Sequence, residues 1–275
     1  MKLIQVNEKT CTQCGICADV CPRAIIKARP DCYPEEISRA EDVCIKCGHC
    51  VSVCPQSSII HKYLPLGACP SVSTEQAITA EQCEQMLRGR RSVREYQNKP
   101  VSRESVSRLI SIARYAPSGH NHQEVEWLVI DNERDLAAIE DAGLAWLRWG
   151  AAHPEFGRKY PLLDLKRYLS FQEGKMTLFL HGAPALVVAH AIDEDRMAIG
   201  DSVIALSYFD IAASSHGLGC CWAGLVQVMA RSFPPLQEIL ALPKGHSSMG
   251  CMTLGHPRYR YYRMPCRNEP RIIWR

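Results

Sequence analysis

The sequence from residue 11 to residue 22 reads Cys-Thr-Gln-Cys-Gly-Ile-Cys-Ala-Asp-Val-Cys-Pro, and residues 44–55 read Cys-Ile-Lys-Cys-Gly-His-Cys-Val-Ser-Val-Cys-Pro. Both stretches place three cysteines at intervals of three residues, then a fourth cysteine four residues later, with proline directly after it. The second copy begins 33 residues after the first (44 − 11). This internal repeat predicts one small electron-carrying module near the start of the chain.

This spacing is typical of proteins that hold two [4Fe-4S] clusters, in which the fourth cysteine of each run binds the other cluster. Three closely spaced thiolates on one loop can face one cluster, whereas the fourth leaves that loop and points elsewhere. The predicted ligand sets are Cys11, Cys14, Cys17 and Cys54 for one cluster, and Cys44, Cys47, Cys50 and Cys21 for the other.

Two other uses of cysteine have similar spacing in part, zinc binding and disulfide formation. Eight cysteines could supply two tetrahedral zinc sites, but three evenly spaced cysteines followed by Cys-Pro favour clusters. No apolar signal segment precedes Cys11, and residues 1–6 have a strand-like pattern instead. We therefore expect a reducing, cytoplasmic location, in which disulfides are rare.

Residues 2–60 resemble a bacterial ferredoxin with two [4Fe-4S] clusters. They carry both complete motifs, and an apolar strand candidate follows each motif, at residues 24–26 and 58–60. The resemblance implies a ferredoxin-like domain over residues 1–62.

The rest of the chain, about 215 residues, is long enough for one further domain with its own core. Residues 1–60 contain seven basic and seven acidic side chains, so the net charge of +3 comes entirely from the remainder. This balance argues against a nucleic-acid partner. No stretch approaches the roughly 20 apolar residues of a membrane helix, so we also expect no membrane partner.

Residues 63–79 contain prolines, a glycine and a polar run, which predict a linker before a second domain at residues 80–275. Thr79 and Gln82 form a potential capping box, and the helix that follows would place Cys83 in the core. Ser102 is the expected N-cap of a second helix. Its apolar stripe consists of Val106, Leu109, Ile110 and Ala113.

Apolar runs predict strands at residues 125–130, 185–191 and 249–254, and a long apolar helix at residues 201–215. The mixture of helices and strands indicates an α/β or α+β domain.

Four short segments of this domain carry potential chemistry. Residues 88–94, Arg-Gly-Arg-Arg-Ser-Val-Arg, suit an anion such as phosphate, although a solvated basic turn has the same composition. Residues 116–123 form a polar loop. Residues 217–224 are rich in glycine, which fits either close approach to a flat ligand or a helix C-cap and turn. Residues 254–257 end the last strand, before a tail rich in arginine.

In this order, the four segments resemble the FMN-dependent nitroreductase family over about residues 84–275. The resemblance implies that an Arg-Arg-Ser-x-Arg element and a late arginine hold the flavin phosphate, that a polar loop contacts the ring and ribityl atoms, and that a glycine-rich segment lies beside the ring. The residues carried over are Arg90, Arg91, Ser92 and Arg94 with Arg267; Pro117, Ser118, Asn121 and Gln123; and Gly217, Leu218, Gly219, Cys220, Cys221 and Trp222.

The resemblance further implies an α+β sandwich, with a mostly antiparallel central sheet flanked by helices, that forms an intertwined homodimer. FMN would lie at the subunit interface and contact both chains. The apolar helix at residues 203–213 would be central to the dimer, and residues 269–274 would form an arm that reaches the partner. Burial within one chain would explain both segments equally well.

A ferredoxin-like domain joined to a flavin site predicts an electron relay, since clusters carry single electrons and FMN exchanges one or two. The expected donor is a reduced ferredoxin or another low-potential source, and the expected acceptor is a small organic molecule such as a nitroaromatic or a quinone. The alternative is a redox sensor or electron-transfer protein whose flavin serves a protein partner. A dehalogenase-like or flavin-consuming reaction is also compatible with the sequence.

No catalytic side chain can be assigned from the sequence. His120, His122, His153, His181 and His216 are proton-donor candidates without a distinguishing signal. The segment at residues 144–175 could stack aromatic side chains on an acceptor, or bury them as an amphipathic helix. These aromatic residues are Trp146, Trp149, Phe156, Tyr160, Tyr168 and Phe171.

The cysteines outside the two motifs have no cluster spacing, and burial as small apolar residues is their expected role. Cys220 and Cys221 could alternatively be redox-active beside the flavin. The set consists of Cys32, Cys69, Cys220, Cys221, Cys251 and Cys266.

Overall fold

The structure is a computed structural model that describes residues 2–153, 155, 156, 160 and 177–275. The described residues divide into two compact units. The first comprises Met1–Ile78 with Gly119–His122, and the second comprises Thr79–Ser118 with Gln123–Arg275. None of the helices in the described part of the chain is long and apolar enough to cross a membrane.

The first unit consists of two similar halves built from very short elements. The first half contains strand β1 (Ile4–Val6), helix α1 (Ile16–Asp19) and strand β2 (Ile26–Lys27). The second contains β3 (Glu35–Glu36), α2 (Ala40–Val43), α3 (His49–Ser52) and β4 (Ile59–His61). β1 pairs with β4 and β2 with β3, both antiparallel. The strands predicted after each cysteine motif are therefore confirmed, with ends that differ from the prediction by one or two residues.

Isoleucine and leucine side chains from both halves form the core of the first unit. Leu3, Ile4, Ile25, Ile26 and Ile59 are each at most 5% exposed. Several motif cysteines pack against this cluster. So small a core buries little apolar surface, which is typical of modules that depend on bound metal for stability.

The second unit begins with helices α4 (Ala80–Gly89) and α5 (Arg103–Ala113). Both predicted caps are confirmed: Thr79 forms a complete capping box with Gln82, and the Ser102 hydroxyl accepts the N–H of Ser105. The expectation that Cys83 lies in the core is wrong. Helix α4 has no buried residue, because its apolar stripe is too sparse to require a buried face.

A four-stranded antiparallel sheet lies at the centre of the second unit. Its strands are β5 (Glu126–Ile130), β6 (Ala185–Ile192), β7 (Gly219–Trp222) and β8 (His246–Gly255), in the order β5-β6-β8-β7. Three of these strands match the sequence predictions. β7 was not predicted, because its glycine-rich sequence also fits a turn.

Helices cover both faces of the sheet and complete the predicted α+β sandwich. On one face lie α6 (Glu133–Ala152), α8 (Gly224–Ser232) and α9 (Pro234–Leu240), which pack on Leu186 and Val188. On the other face lie α5 and α7 (Ala198–Ser215), which pack on Val187 and Ala189. Alternate residues of β6 thus face opposite layers, which explains its continuous apolar run.

Some of the aromatic side chains after residue 144 are buried in the core, and others are exposed. Trp146 is 2% exposed and packs edge-on against Phe156, 4.8 Å between ring centroids. Tyr160 packs against the same core, whereas Trp149 is 47% exposed. This arrangement favours the amphipathic-helix interpretation for the buried residues. Tyr168 and Phe171 lie outside the described residues.

The cysteines outside the motifs divide into buried and accessible groups. Cys220, Cys221 and Cys251 are buried, as predicted for small apolar side chains. The same prediction is wrong for Cys32 and Cys266, which are exposed because they lie in a turn and in the extended tail. Cys69 is half-buried.

Candidate functional site

The structure brings the motif cysteines together in two separate groups within the first unit. One cavity is lined by the first group, and another by the second group together with His61. The first group is Cys11, Cys14, Cys17 and Cys54, and the second is Cys21, Cys44, Cys47 and Cys50. These are the two sets expected from ligand exchange between the motifs.

The backbone around both groups repeats with the 33-residue period. Gly15 and Gly48 have φ values of 74° and 76°, and each precedes a one-turn helix. Gln13 and Lys46 also have positive φ, at 60° and 52°. Glycine adopts this left-handed conformation at little cost, so each loop can curl its thiols toward one point.

Backbone N–H groups point at sulfur atoms in both groups. Gln13 N lies 3.4 Å from Cys11 Sγ, Lys46 N 3.4 Å from Cys44 Sγ, and Ser58 N 3.2 Å from Cys54 Sγ. Donors in these positions stabilise negative sulfur.

The electrostatics of the thiols fit a positively charged ligand group. Burial, followed by the charges of Cys14 and Cys54, raises the pKa of Cys17. Burial also raises the pKa of Cys50, to about 11. Four thiolates this close repel one another unless metal ions compensate their charge. Each set of four sulfur donors therefore suits a four-iron cluster.

His61 is a further residue of the second cysteine group that the sequence analysis did not identify. Its ring is 3% exposed, and its Nε2 lies 3.6 Å from Cys44 Sγ. Its Nδ1 accepts the backbone N–H of Tyr63 at 3.1 Å. The one available sequence signal is a histidine at the end of the strand that follows the second motif.

In the second unit, the arginine-rich segment runs beside the glycine-rich strand β7. Val93 N donates to Cys220 O at 2.9 Å, which ties the two segments together. A cleft of about 620 Å³ opens between them, in the size range of small-molecule sites. Its lining includes Arg90, Arg91, Gly217, Leu218, Gly219 and Cys220 among the predicted flavin residues.

The two arginines of this cleft have different environments. Arg90 Nη1 lies 3.1 Å from Oδ2 of Asp210, a residue of α7 that is 6% exposed. Burial raises the pKa of Asp210, and Arg90 opposes that effect. Arg91 Nη1 and Nη2 donate to the carbonyls of Arg90 and Arg88 at the end of α4. Its Nε is buried without a hydrogen-bond partner in the described part of the chain, so it can donate to a bound anion.

The remaining residues of these two segments lie around the same strand. Ser92 is half-buried, Arg94 is exposed, and Trp222 is 39% exposed. Burial is the main cause that raises the pKa of both Cys220 and Cys221. Protonated thiols are poor nucleophiles, which argues against the predicted redox role for this pair.

The polar loop contributes to a second, smaller cavity. Pro117, Ser118 and Gln123 line about 100 Å³ of space together with Asp201 of α7. The Ser118 hydroxyl accepts the backbone N–H of Gln123 at 3.1 Å, which closes the loop.

Six predicted flavin residues line neither cavity. Four of them are the residues around strand β7 described above, Ser92, Arg94, Cys221 and Trp222, and the other two lie elsewhere. Asn121 belongs to the first unit, and its side-chain amide donates to the carbonyls of Ile45 and Lys46 at 3.1 and 3.2 Å. Arg267 lies in the exposed tail, and its nearest described hydrogen-bond partner is Cys266 O at 3.4 Å.

Helix α7 separates the two cavities of the second unit. Asp210 lines the larger cavity and Asp201 the smaller one. Nine residues of α-helix correspond to about 14 Å along the axis. Predicted flavin residues of a single chain therefore line two separate cavities, which we call half-sites, rather than one pocket.

Comparison with known proteins agrees with this division of the chain. Residues 87–256 match the model of the nitroreductase family, and residues 3–55 match that of the 4Fe-4S dicluster domain. The chain is 29% identical over 181 residues to an FMN reductase (NAD(P)H) of Bacillus subtilis (strain 168), covering 65% of this chain and 67% of that protein. It is 28% identical over 178 residues to a Cr(VI) reductase of Pseudomonas sp. (strain G-1), covering 64% and 67%.

A solved structure gives the same result for the fold. The nitroreductase with bound FMN from Bacteroides fragilis NCTC 9343 superimposes with a TM-score of 0.58 at 21% identity, covering 72% of this chain and 100% of that one. The family match spans more than half of the 275 residues. The chain therefore belongs to the nitroreductase family and carries a 4Fe-4S dicluster domain ahead of the family region.

Proposed function

We propose that this FMN-dependent oxidoreductase relays electrons from a low-potential donor, through two [4Fe-4S] clusters, to FMN and on to a small organic acceptor such as a nitroaromatic or a quinone. The observation that carries the proposal is the presence, in one chain, of two cavities with four thiols each and a cleft lined by an arginine whose Nε has no hydrogen-bond partner among the described residues. Bound clusters would supply single-electron transfer, and bound FMN would exchange electrons singly or in pairs.

The first unit would hold the clusters through the two cysteine groups described above. Positive-φ residues curl each loop, and the N–H groups of Gln13, Lys46 and Ser58 orient toward three of the sulfurs. The domain division that we propose is 1–62 for this domain, 63–79 for the linker and 80–275 for the flavin domain.

The larger cleft of the second unit would hold the phosphate end of FMN. Arg91 would donate through its buried Nε, while Asp210 holds Arg90 at the wall of the cleft. Ser92, Arg94 and strand β7 would complete this half of the site. An arginine fork matches the oxygen atoms of a phosphate and adds charge-assisted hydrogen bonds.

The smaller cavity, with Pro117, Ser118 and Gln123, would contact the FMN bound mainly by a partner chain. The separation of the half-sites along α7 supports such a homodimer. An exposed apolar stripe on the same helix also supports it, since Ile199, Val203, Ile204 and Tyr208 are each at least 38% exposed. Unpaired apolar stripes of this kind mark protein interfaces.

The C-terminal tail would act as the predicted arm, at residues 269–274. Ile272, Ile273 and Trp274 are 59%, 84% and 87% exposed, which is unfavourable for a tail that contacts only water. Burial against a second chain would remove this apolar surface from solvent, and it would also move Arg267 toward the partner.

The source of electrons separates this proposal from its alternatives. A relative is named for NAD(P)H, so direct reduction of FMN by a nicotinamide is one possibility. The ferredoxin-like unit instead favours a ferredoxin-type donor in a reducing compartment, which we take to be the cytoplasm. A redox sensor or electron-transfer protein is the second candidate function, and slow turnover of small acceptors with a stable protein complex would favour it.

Anaerobic purification followed by iron, sulfide and flavin analysis tests the proposal. We expect about eight irons and one FMN per chain, with flavin bleaching after the clusters accept electrons during stepwise reduction. Zinc in the cysteine sites, or clusters without flavin, would contradict the proposal.

A further inference from the structure

Three potential metal ligands meet at one end of the central sheet of the second unit. They are Glu126 at the start of β5, His190 near the end of β6 and His246 at the start of β8. One ligand atom from each residue lies within 4.8 Å of the other two. None of these residues was singled out in the sequence, since 64 and 56 positions separate consecutive members (190 − 126 and 246 − 190).

Strand pairing explains why these side chains converge. Glu126 lies directly opposite His190, and His246 lies opposite Ile192, two residues further along the same strand. Residues two apart on a strand share a face of the sheet. The pairing of β6 with β8 is irregular between Ala189 and His190. Such a bulge re-aims the side chain beside it.

The donor atoms have the chemistry of a transition-metal site. His190 is 5% exposed, His246 is half-buried and Glu126 is exposed. A neutral imidazole can bind a metal ion. His190 Nδ1 and His246 Nδ1 lie 3.1 Å apart, close to the roughly 3.3 Å between two nitrogens on a tetrahedral zinc ion.

The Glu126 carboxylate is available to complete the set. It forms no ion pair with a lysine or arginine among the described residues, and its side chain is exposed. His246 also lines a cleft of about 310 Å³, together with Lys244, Gly245 and Ser247. The exposed Glu126 side chain leaves the group open to solvent on its own side.

We propose that Glu126, His190 and His246 bind one divalent transition-metal ion of the Zn²⁺ type, with a fourth position open to water. Two neutral imidazoles and one carboxylate are a common ligand set for such ions. The ion would join three strands of the sheet at the end where β5 begins. It would be independent of the clusters and of FMN.

Anaerobic equilibrium dialysis of the full-length holoprotein against Zn²⁺ tests this site, with zinc and iron measured together. We expect one zinc per chain without loss of iron. X-ray absorption at the zinc edge should give nitrogen and oxygen neighbours at about 2.0–2.2 Å and no sulfur at about 2.3 Å. The iron count and the absence of sulfur neighbours distinguish this site from zinc in the cysteine groups.

Variants assign the bound zinc to particular residues. His246→Asn and Glu126→Gln should each weaken zinc binding by more than about tenfold, because each removes a ligand. Glu124→Gln, an exposed carboxylate two positions away, should leave binding unchanged. His246 and Glu126 are less buried than His190, so replacing them tests the site without creating a cavity in the core. The proposal would be overturned if the wild type and the three variants bind zinc with equal affinity. It would also be overturned if the bound zinc has sulfur neighbours, or if the wild type binds no zinc.

Discussion

Replacement of His61 by phenylalanine should lower the reduction potential of the cluster proposed for Cys21, Cys44, Cys47 and Cys50. His61 Nδ1 lies 3.1 Å from the backbone N of Tyr63, and a backbone N–H can only donate. Nδ1 is therefore the acceptor, so Nε2 carries the proton toward Cys44 Sγ at 3.6 Å. An N–H···S bond stabilises the more negative, reduced cluster. Phenylalanine keeps most of the ring volume and removes the donor.

The size of the effect follows from the strength of this bond. A hydrogen bond to a charged group contributes about 1.5–3 kcal/mol, but only the difference between the two oxidation states changes the potential. We take that difference as about 1 kcal/mol, because the acceptor charge is shared over the cluster. For a one-electron couple, about 59 mV corresponds to a tenfold change, or about 1.4 kcal/mol. The expected decrease is therefore about 40 mV.

Anaerobic potentiometric titration followed by electron paramagnetic resonance measures this shift. Tyr63→Phe is the matched control, because it keeps the backbone N–H that orients the His61 ring and should leave the potential unchanged. The reasoning is refuted if His61→Phe leaves the potential unchanged or raises it. An equal shift of both clusters would also refute it, since His61 lies at only one cysteine group.

Three further predictions concern the second unit and the accessible cysteines. Arg91→Ala should weaken FMN binding about 10- to 150-fold, the equivalent of about 1.5–3 kcal/mol. Arg88→Ala removes an exposed side chain and should change FMN binding little. Fluorescence titration measures the FMN affinity of both variants. Burial raises the pKa of Cys251 to about 12, so its thiol stays protonated at pH 8. It should therefore be alkylated at least about 100-fold more slowly than the exposed Cys32 thiol, as measured by peptide mass spectrometry. Gly219→Ala should reduce the unfolding free energy by about 1–3 kcal/mol, because a Cβ there would overlap a neighbouring valine; circular dichroism during denaturation measures the loss.

Different results would contradict each of these predictions. Equal FMN affinity in the Arg91 and Arg88 variants would mean that the Arg91 guanidinium does not bind the FMN phosphate. Alkylation of Cys251 as fast as Cys32 would mean that this strand is accessible. An unfolding free energy that Gly219→Ala leaves unchanged would mean that β7 can move away from its neighbour at little cost.

The fold was predictable where one local pattern determined the structure. The apolar run of β6 and the capping box at Thr79 are each specified by residues close in sequence, and both elements were found where they were expected. Strand β7 was not predicted from the sequence, because a short Gly-Cys-Cys-Trp stretch becomes a strand only by pairing with β8. The prediction that Cys83 is buried was wrong because helical periodicity identifies an apolar side of α4, but not whether another element covers that side.

The candidate sites follow the same distinction. The grouping of the motif cysteines was predictable because their spacing is local and repeats. The contact of His61 with Cys44 depends on how β4 turns after Ile59, which the sequence does not specify. The group of Glu126, His190 and His246 depends on sheet register and on a bulge, so only the folded structure brings it together.

The central claim is that electrons reach FMN through the clusters. Anaerobic stopped-flow reduction by a ferredoxin-type donor tests it most directly, comparing the wild type with Cys47→Ser, which removes one predicted cluster ligand, after FMN content is confirmed to be equal. We expect flavin bleaching to follow cluster bleaching in the wild type and to slow at least about tenfold in the variant. Equal rates of flavin reduction in the two proteins would contradict it.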